Sequence, residues 1–358
     1  MQRVDVAIIG AGPAGSSCAA FCAAAGLRTI LFERQKFPRE KICGDCLNPA
    51  CWPILRRLDV ADRVRKSPHG KLRTVDFVAI GGRRVRIDLP AGEDGEIAIK
   101  RSLFDALLMT RARECGTDVR EETTVNRIEK NSAGFWTIHS NAGVFQASVL
   151  VGADGRNSTV AHALNLQPRP QRERVALQTH IPLPENFGDR VVLQFLEQGY
   201  SGQAPVNQNE LNLCLVSTPN RIDALKRWAI TQFDFSSDHP WRTITPLTRA
   251  PISPMQETLF LIGDAARVVE PFTGEGIYYA LRSSELAAEA IAKIIRGEDR
   301  AAAMRDFCRD HTQMYRGRLW INRLARTAVL SPRIASFFVH LARFQPSILR
   351  LLTARITQ

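Results

Sequence analysis

Gly10, Gly12 and Gly15 fall in the run Gly10-Ala11-Gly12-Pro13-Ala14-Gly15, and an acid, Glu33, follows Gly12 by 21 residues. This combination suits the binding of a dinucleotide. Gly10 permits a tight turn, Gly12 lets the main chain approach a pyrophosphate, and Gly15, beside Ala14, lets helix and strand pack closely. A helix starting there turns unpaired N–H groups and a positive dipole end toward the phosphates. Glu33 accepts from the adenosine ribose, and an acid at that position favours a free 2′-hydroxyl, as in FAD or NAD, over a 2′-phosphate. Arg34, next to it, is a further candidate for the phosphates. No second glycine run of this kind occurs downstream, so one bound dinucleotide is expected.

The elements that must hold these residues are legible around them. The apolar run 4–9 reads as a buried parallel strand, the Ala-rich stretch stopped by Gly26 as a helix, and 28–32 as the next strand. Two more strand-to-turn runs lie downstream. One spans 148–158 and carries Asp154; the other spans 259–266 and carries Gly263 and Asp264. The second is followed by Pro271-Phe272-Thr273-Gly274-Glu275-Gly276-Ile277 and a long helix.

In this order and spacing the three motifs resemble those of FAD-dependent oxidoreductases of the aromatic-hydroxylase fold, most closely the geranylgeranyl reductase family, over about residues 1–300. The resemblance implies an α/β fold: a Rossmann-type FAD-binding domain (glutathione-reductase/PHBH-like), an antiparallel β-sheet substrate domain and a C-terminal helical segment. The expected FAD-binding domain is discontinuous, over 1–70, 97–172 and 250–300, with the substrate sheet in 71–96 and 173–249 and the helical segment in 301–358. By the same resemblance Asp264 bonds the flavin ribityl chain, Arg101 reaches the cofactor and Pro271 lies near the ring. Gly274, Glu275, Gly276 and Ile277 would place a helix N-terminus at the flavin N1/C2 end, where reduced flavin carries negative charge. For Asp154, cofactor contact and a structural role both stay open. Thr273-Gly274-Glu275-Gly276 is similar to the reductase pattern rather than the Gly-Gln-Gly of aromatic hydroxylases, and the Trp-x-Trp-x-Ile-Pro signature of flavin halogenases is absent. The segment 37–44 also resembles the reductase branch, in which the cysteine, here Cys43, sits near the isoalloxazine.

Cys43-Gly44-Asp45-Cys46 is also a Cys-x-x-Cys. A zinc site wants a second pair at suitable spacing; Cys51 adds one thiol with no His beside it, so no metal is expected. A dithiol redox pair would need the surroundings of a disulfide reductase. Cys43 is therefore read as a pocket cysteine, and Cys46 and Cys51 as packing. The prenyl-channel motif Tyr-x-Trp-x-Phe-Pro of the reductases is here Tyr200-Ser201-Gly202-Gln203-Ala204-Pro205. Tyr200 and Pro205 remain while two aromatics are gone, which leaves a wider or differently shaped pocket. Gln203, with Gln178 and Gln194, either lines it or is a solvated strand residue. The runs 72–80, 83–89, 174–183, 190–196 and 210–217 read as strands of an antiparallel sheet over the flavin. His180, in one of them, is either an acid/base group or a structural histidine.

With one dinucleotide domain, NADH or NADPH would visit transiently as reductant. The first expectation is reduction of a C=C bond in an apolar, prenyl or polyketide-like substrate, with Cys43 or a water it positions as the acid. The alternative is a monooxygenase that hydroxylates or epoxidises through a flavin hydroperoxide. A third reading is a flavin-binding redox sensor without turnover.

Composition narrows the partners. The 358 residues are 45% hydrophobic and 23% charged, which excludes disordered and collagen-like chains. Eight cysteines scattered through a chain whose first apolar run, 4–10, is too short for a signal peptide are expected to be reduced, in a cytoplasmic protein. The net charge of +12 is concentrated at the C-terminus: after Asp310 there are eight arginines and no acid. No groove-reading or base-stacking module accompanies them, so nucleic acid is not expected. The tail reads as helices over 314–328, 332–344 and 346–356, serving as a lid over the pocket or as a peripheral membrane anchor for a lipid-like substrate.

Overall fold

In the computed structural model, which describes residues 2–168, 174–269 and 274–316 together with Arg333, Ser336 and Val339, the chain forms two large sheet layers. The first is built on the strand Gln2–Ile9. It pairs in parallel with Thr29–Phe32 on one side and Gly143–Gly152 on the other; Asp118–Arg120 and Leu259–Leu261 extend the parallel set outward. Alternation sorts its side chains. Val6 and Ile8 pack with the helices Pro13–Ala24, Arg101–Glu114 and Gly276–Ile295, while Ala7 and Ile9 join the opposite cluster beneath the meander Val125–Lys130, Trp136–Ser140 and Gly143–Gly152. Ile9 is level with both Phe32 and Gly152, and Gly152 with Leu261, so the three motif turns leave the sheet at one carboxyl edge. Ligands of open α/β sheets bind at such an edge.

The second sheet runs Arg242–Ile244, Val175–Pro182, Glu210–Ser217, Gly199–Pro205, Arg190–Leu196, Thr74–Val78 and Arg84–Asp88. Every neighbouring pair is antiparallel but one: Arg190–Leu196 runs parallel to Thr74–Val78, so the sheet is mixed rather than purely antiparallel. The parallel pair follows from the insertion of the whole 97–172 segment between those strands. Gly199–Pro205 is a central strand that composition conceals, since it holds Gly199, Gly202 and Pro205. The amphipathic helix Ile222–Phe233 covers the far face through Leu225 and Ala229. A three-stranded ribbon, Cys46–Leu47, Ile97–Ala98 and Gly70–Lys71, joins the layers; a Cβ on Gly70 would lie 1.8 Å from the Pro205 carbonyl oxygen.

The helix Arg300–Gln313 packs on Gly276–Ile295, and residues 314–316 form a turn, so no helix begins at 314. The rest of the three expected tail helices lies outside the described residues, as does Pro271, apart from three helical positions. Two of these are anchored: Ser336 Oγ accepts from the Ile80 N–H at 3.0 Å, and Val339 is buried with Ala79, Phe195 and Tyr200. All eight cysteines are free. No helix among the described residues is long and apolar enough to cross a membrane.

Candidate functional site

Main chain meets main chain at the carboxyl edge of the first sheet. Gly10 has φ +99°, and a Cβ there would lie 2.7 Å from both the Ala153 oxygen and the Asp154 Cα. A Cβ on Gly15 would fall 1.8 Å from the Gly10 oxygen, so the helix Pro13–Ala24 rests directly on the turn. Gly12 differs: its missing side chain would meet only Arg39 Nη2 at 3.9 Å and Arg101 Nη2 at 4.0 Å. It is also the N-cap of that helix and has no side chain with which to satisfy the free N–H groups. Ala14 is buried and packs near Gly263.

The cations around Gly12 are fixed in place. Arg101 makes a two-pronged bond to Asp105 (2.7 and 2.9 Å), and Arg39 reaches the same carboxylate at 3.1 Å and Glu33 at 3.5 Å. Lys41 is pulled below the usual lysine range by its burial and by the nearby charges of Arg101, Arg39 and Arg156. Two guanidiniums beside the helix N–H groups, with Lys41 close by, form a cradle for a polyanion such as a pyrophosphate. Glu33 Oε2 accepts from the Ala11 N–H and Oε1 from the Gln35 N–H, both at 3.0 Å, which holds the carboxylate while leaving acceptor capacity for ribose hydroxyls. Arg34 is exposed; Arg39, which spacing did not single out, stands over the cradle instead.

At the other end, Gly263 (φ +56°) turns the chain so that Asp264 faces Arg156 at 3.4 Å, while Arg249 clasps the carbonyls of Asp264 and Ala265. Gly274 (φ +68°) lies against Cys46, with 3.8 Å between its virtual Cβ and the Cys46 Cβ. Glu275 is the buried N-cap of Gly276–Ile295 and accepts from the Tyr279 O–H at 3.1 Å; Ile277 is buried in the main core, and a Cβ on Gly276 would meet nothing within 4 Å. A helix N-terminus thus opens beside the Cys43-Gly44-Asp45-Cys46 loop. Asp154 turns its carboxylate to the Val160 N–H (3.1 Å) at the start of Thr159–Ala163, and burial pushes its pKa up. These residues fit FAD: glycine cradle and cations for the pyrophosphate, Glu33 for the ribose, and a helix N-terminus for the ring.

The second sheet presents one face to this loop, and strand register fixes its membership. Gln178 and His180 sit opposite Cys214 and Asn212, which sit opposite Gly202 and Ala204; Leu193 and Phe77 continue the face. The polar end closes on the loop. His180 Nε2 lies 2.8 Å from Asp45 Oδ2, Gln178 Nε2 donates to Asn212 Oδ1 (3.1 Å), and Asn212 Nδ2 donates to the Cys43 carbonyl (2.8 Å). Burial raises the thiols of Cys43, Cys46 and Cys214, against the pull of Arg101 at Cys43, so all three keep their protons at neutral pH.

Two pocket expectations need correction. Gln203 and Pro205 alternate to the opposite face, where Gln203 donates to Ser201 Oγ (2.8 Å) and approaches Gln194 (3.5 Å); both glutamines belong to the side covered by Ile222–Phe233. Tyr200 is on the site face, packed with Phe195 and Val339. Gly202 and Ala204, the two positions that lack the aromatic bulk, are the ones facing the site. Asp45, Asn212 and Cys214 were not singled out from sequence, although the two-residue spacing of Asn212 and Cys214, matching that of Gln178 and His180, is a signal that could have found them.

Glu96 lies between this loop and Cys51, and burial pushes its carboxyl up from 4.5 to about 7. The folded chain therefore holds a proton there that the unfolded chain releases, so this group's contribution to stability falls as pH rises from 4.5 through 7. Glu96→Gln is expected to stabilise the protein by about 1–3 kcal/mol at about pH 8 and by much less at about pH 5, checked by urea unfolding at both.

Comparison with known proteins agrees with this cradle. The family described as FAD binding domain matches residues 3–314. Menaquinone reductase of Mycolicibacterium smegmatis is 29% identical over 80% of this chain and 76% of its own, and geranylgeranyl diphosphate reductase of Synechocystis is 27% identical over 80% and 74%. Conditioned medium factor receptor 1 of Dictyostelium discoideum is 28% identical over 82% of this chain, which spans only 64% of that protein's length. Among solved structures, the myxobacterial chondrochloren halogenase CndH superposes with a TM-score of 0.77 at 23% identity, covering 88% of this chain and 80% of that one, a likeness of fold. With that match over most of its length and a cradle built for the cofactor, the chain belongs to the FAD binding domain family, as an enzyme of the FAD-dependent oxidoreductase type.

Proposed function

We propose that this enzyme reduces a C=C bond in an apolar, isoprenoid-like or polyketide-like substrate, using electrons from NADH or NADPH. The observation that carries this reading is the composition of the site face. Phe77, Leu193 and Gly202 give an apolar floor that is only half-buried, and it ends at protonated thiols and the His180–Asp45 pair. An apolar chain or ring lies on such a floor while groups able to supply a proton stand at its end. FAD, when bound, would supply the two-electron chemistry between reductant and substrate. Arg39, Arg101 and the N-terminus of Pro13–Ala24 would hold its pyrophosphate, and the N-terminus of Gly276–Ile295 would favour negative charge at the ring. The relatives named as menaquinone and geranylgeranyl diphosphate reductases support an isoprenoid-bearing substrate.

Anaerobic turnover of chemically reduced holoenzyme with a panel of polyprenyl, quinone and polyketide-like lipids, read by mass spectrometry, tests the reading. Gain of two hydrogens without oxygen is the expected result. A strict oxygen requirement with oxygen added to the product overturns it in favour of a monooxygenase.

The open floor makes a prediction of its own. A Cβ at Gly202 meets only Leu193 Cδ2, at 3.7 Å, so the backbone admits a side chain there. Gly202→Trp is expected to raise KM for the substrate found in the panel by about tenfold or more, with FAD content unchanged.

The contacts of Ser336 and Val339 with the site-side face support the basic tail as a lid over this pocket. Under that reading the full-length protein stays in the supernatant when sedimented with anionic liposomes; sedimentation with them supports peripheral membrane docking instead.

A further inference from the structure

Stability alone does not account for the polar end of the site face. Asn212 already ties the second sheet to the Cys43 carbonyl, a neutral bond that needs no ionisable group. Beside it stands a buried ionisable pair: the side chains of His180 and Asp45 are 8% and 1% exposed, and such pairs seldom stabilise a fold better than apolar packing would. The cluster also has more acceptors than donors. Asp45 Oδ1 and Gln178 Oε1 are buried with no hydrogen-bond partner among the described residues. A buried carboxylate in that condition favours extra protons on the pair.

We propose that Asp45 and His180 form the proton store of the reaction, His180 donating the proton that completes saturation of the double bond and Asp45 holding the imidazole in position. This rests on the reductase reading above. Nε2 is held against Asp45 at 2.8 Å, and the Gln178 amide nitrogen lies 3.4 Å from Nε2 and 3.5 Å from Nδ1, so among the described residues the other ring nitrogen, Nδ1, makes no contact shorter than 3.5 Å. When hydride is delivered to one carbon of the double bond, the other carbon takes the proton from Nδ1. The new C–H bond forms as the N–H bond breaks, the electron pair of that bond stays on the ring, and solvent restores the proton. The two electrons derive from NADH or NADPH through the cofactor.

The charges facing the pair come from several elements. Arg101 and Glu40 act on Asp45 from the first layer. On the sheet side, Glu210 senses His180 and is bonded by Lys100, while His239 Nε2 lies 3.0 Å from the His180 carbonyl oxygen. Cys43, Cys46 and Cys214 complete the surroundings as neutral thiols. Burial raises the Asp45 carboxyl and the bond from His180 counters it.

The test uses full-length holoenzyme. In 1H NMR of the exchangeable imidazole signals, assigned with His180→Gln, Asp45→Asn is expected to move the His180 Nε2–H signal, because the charge-assisted bond that holds it becomes a neutral one. In anaerobic single turnover, His180→Gln is expected to slow substrate reduction by about 100-fold or more, while its flavin content and the rate of flavin reduction by NADH or NADPH match wild type. An unmoved His180 Nε2–H signal in Asp45→Asn overturns the proposal. So does substrate reduction at the wild-type rate in His180→Gln, or in His180→Asn should the first variant not retain FAD. If wild-type enzyme reduces no lipid of the panel, the reductase reading fails, and the Nε2–H signal still decides whether the pair is coupled as argued.

Discussion

Arg101→Ala is expected to yield a colourless protein, destabilised by about 3 kcal/mol even before cofactor is considered. Two costs combine. Asp105 is fully buried and receives both prongs of the Arg101 guanidinium; truncation leaves that carboxylate with Arg39 alone, at 3.1 Å. Removing one partner of a buried pair costs roughly 3–5 kcal/mol, and the remaining guanidinium places the loss at the low end. The second cost falls on the cofactor, because Arg101 is one of the two guanidiniums nearest the open space at Gly12. Thermal unfolding of the apoprotein measures the first, and flavin absorbance relative to protein absorbance measures the second. Arg101→Lys separates them: it keeps the charge beside the phosphates but not the flat two-pronged geometry, so it should regain part of the flavin and little of the stability. Wild-type stability in Arg101→Ala would mean that Asp105 does not depend on this arginine.

Gly15→Ala is expected to be comparably severe for a different reason. A single methyl there would stand 1.8 Å from the Gly10 carbonyl oxygen, and both partners are main chain. The helix Pro13–Ala24 must shift away from the turn, which moves its N-terminus off the pyrophosphate and disturbs contacts with Arg101–Glu114 and Gly276–Ile295. Overpacking of this kind costs about 1–3 kcal/mol or more, and FAD binding should be lost. Gly276→Ala is the control, since its Cβ meets nothing within 4 Å; the apoprotein should unfold at the wild-type temperature. Equal unfolding temperatures for all three proteins would show that the close approach at Gly15 relaxes without cost.

What the sequence disclosed follows from how local each signal is. The glycines at 10, 12 and 15 and the acid at 33 belong to one strand–turn–helix–strand unit, and the steric demands on each are set within it. Strands Arg190–Leu196 and Glu210–Ser217 were legible to the residue, the first from its run of β-branched and apolar side chains and the second from the alternation of Leu211, Leu213 and Leu215. Gly199–Pro205 was hidden, since glycine and proline there read as turn while the neighbouring strands supply its order. Gln203 was assigned to the wrong face because alternation shows that two faces exist, not which one meets the cofactor. The His180–Asp45 pair spans 135 positions, and only the closing of the second sheet on the 43–46 loop joins it. Arg34 and Arg39 differ by five positions and cannot be ranked without the course of the loop between them.

The strand Gly199–Pro205 also bears on how this protein could change. Gly202 is half-buried on the face proposed to meet substrate, whereas Ala204 on that face is packed among Leu72, Val75 and Ala98, and Ser201 and Gln203 touch the layer beneath Ile222–Phe233. Under the proposed function, replacement at Gly202 alters what the enzyme accepts and leaves its packing alone, while replacement at Ala204, Ser201 or Gln203 disturbs packing first. Selection can therefore explore new substrates on this strand through Gly202. Deletion of a single residue would exchange the two sets and forfeit fold and specificity together.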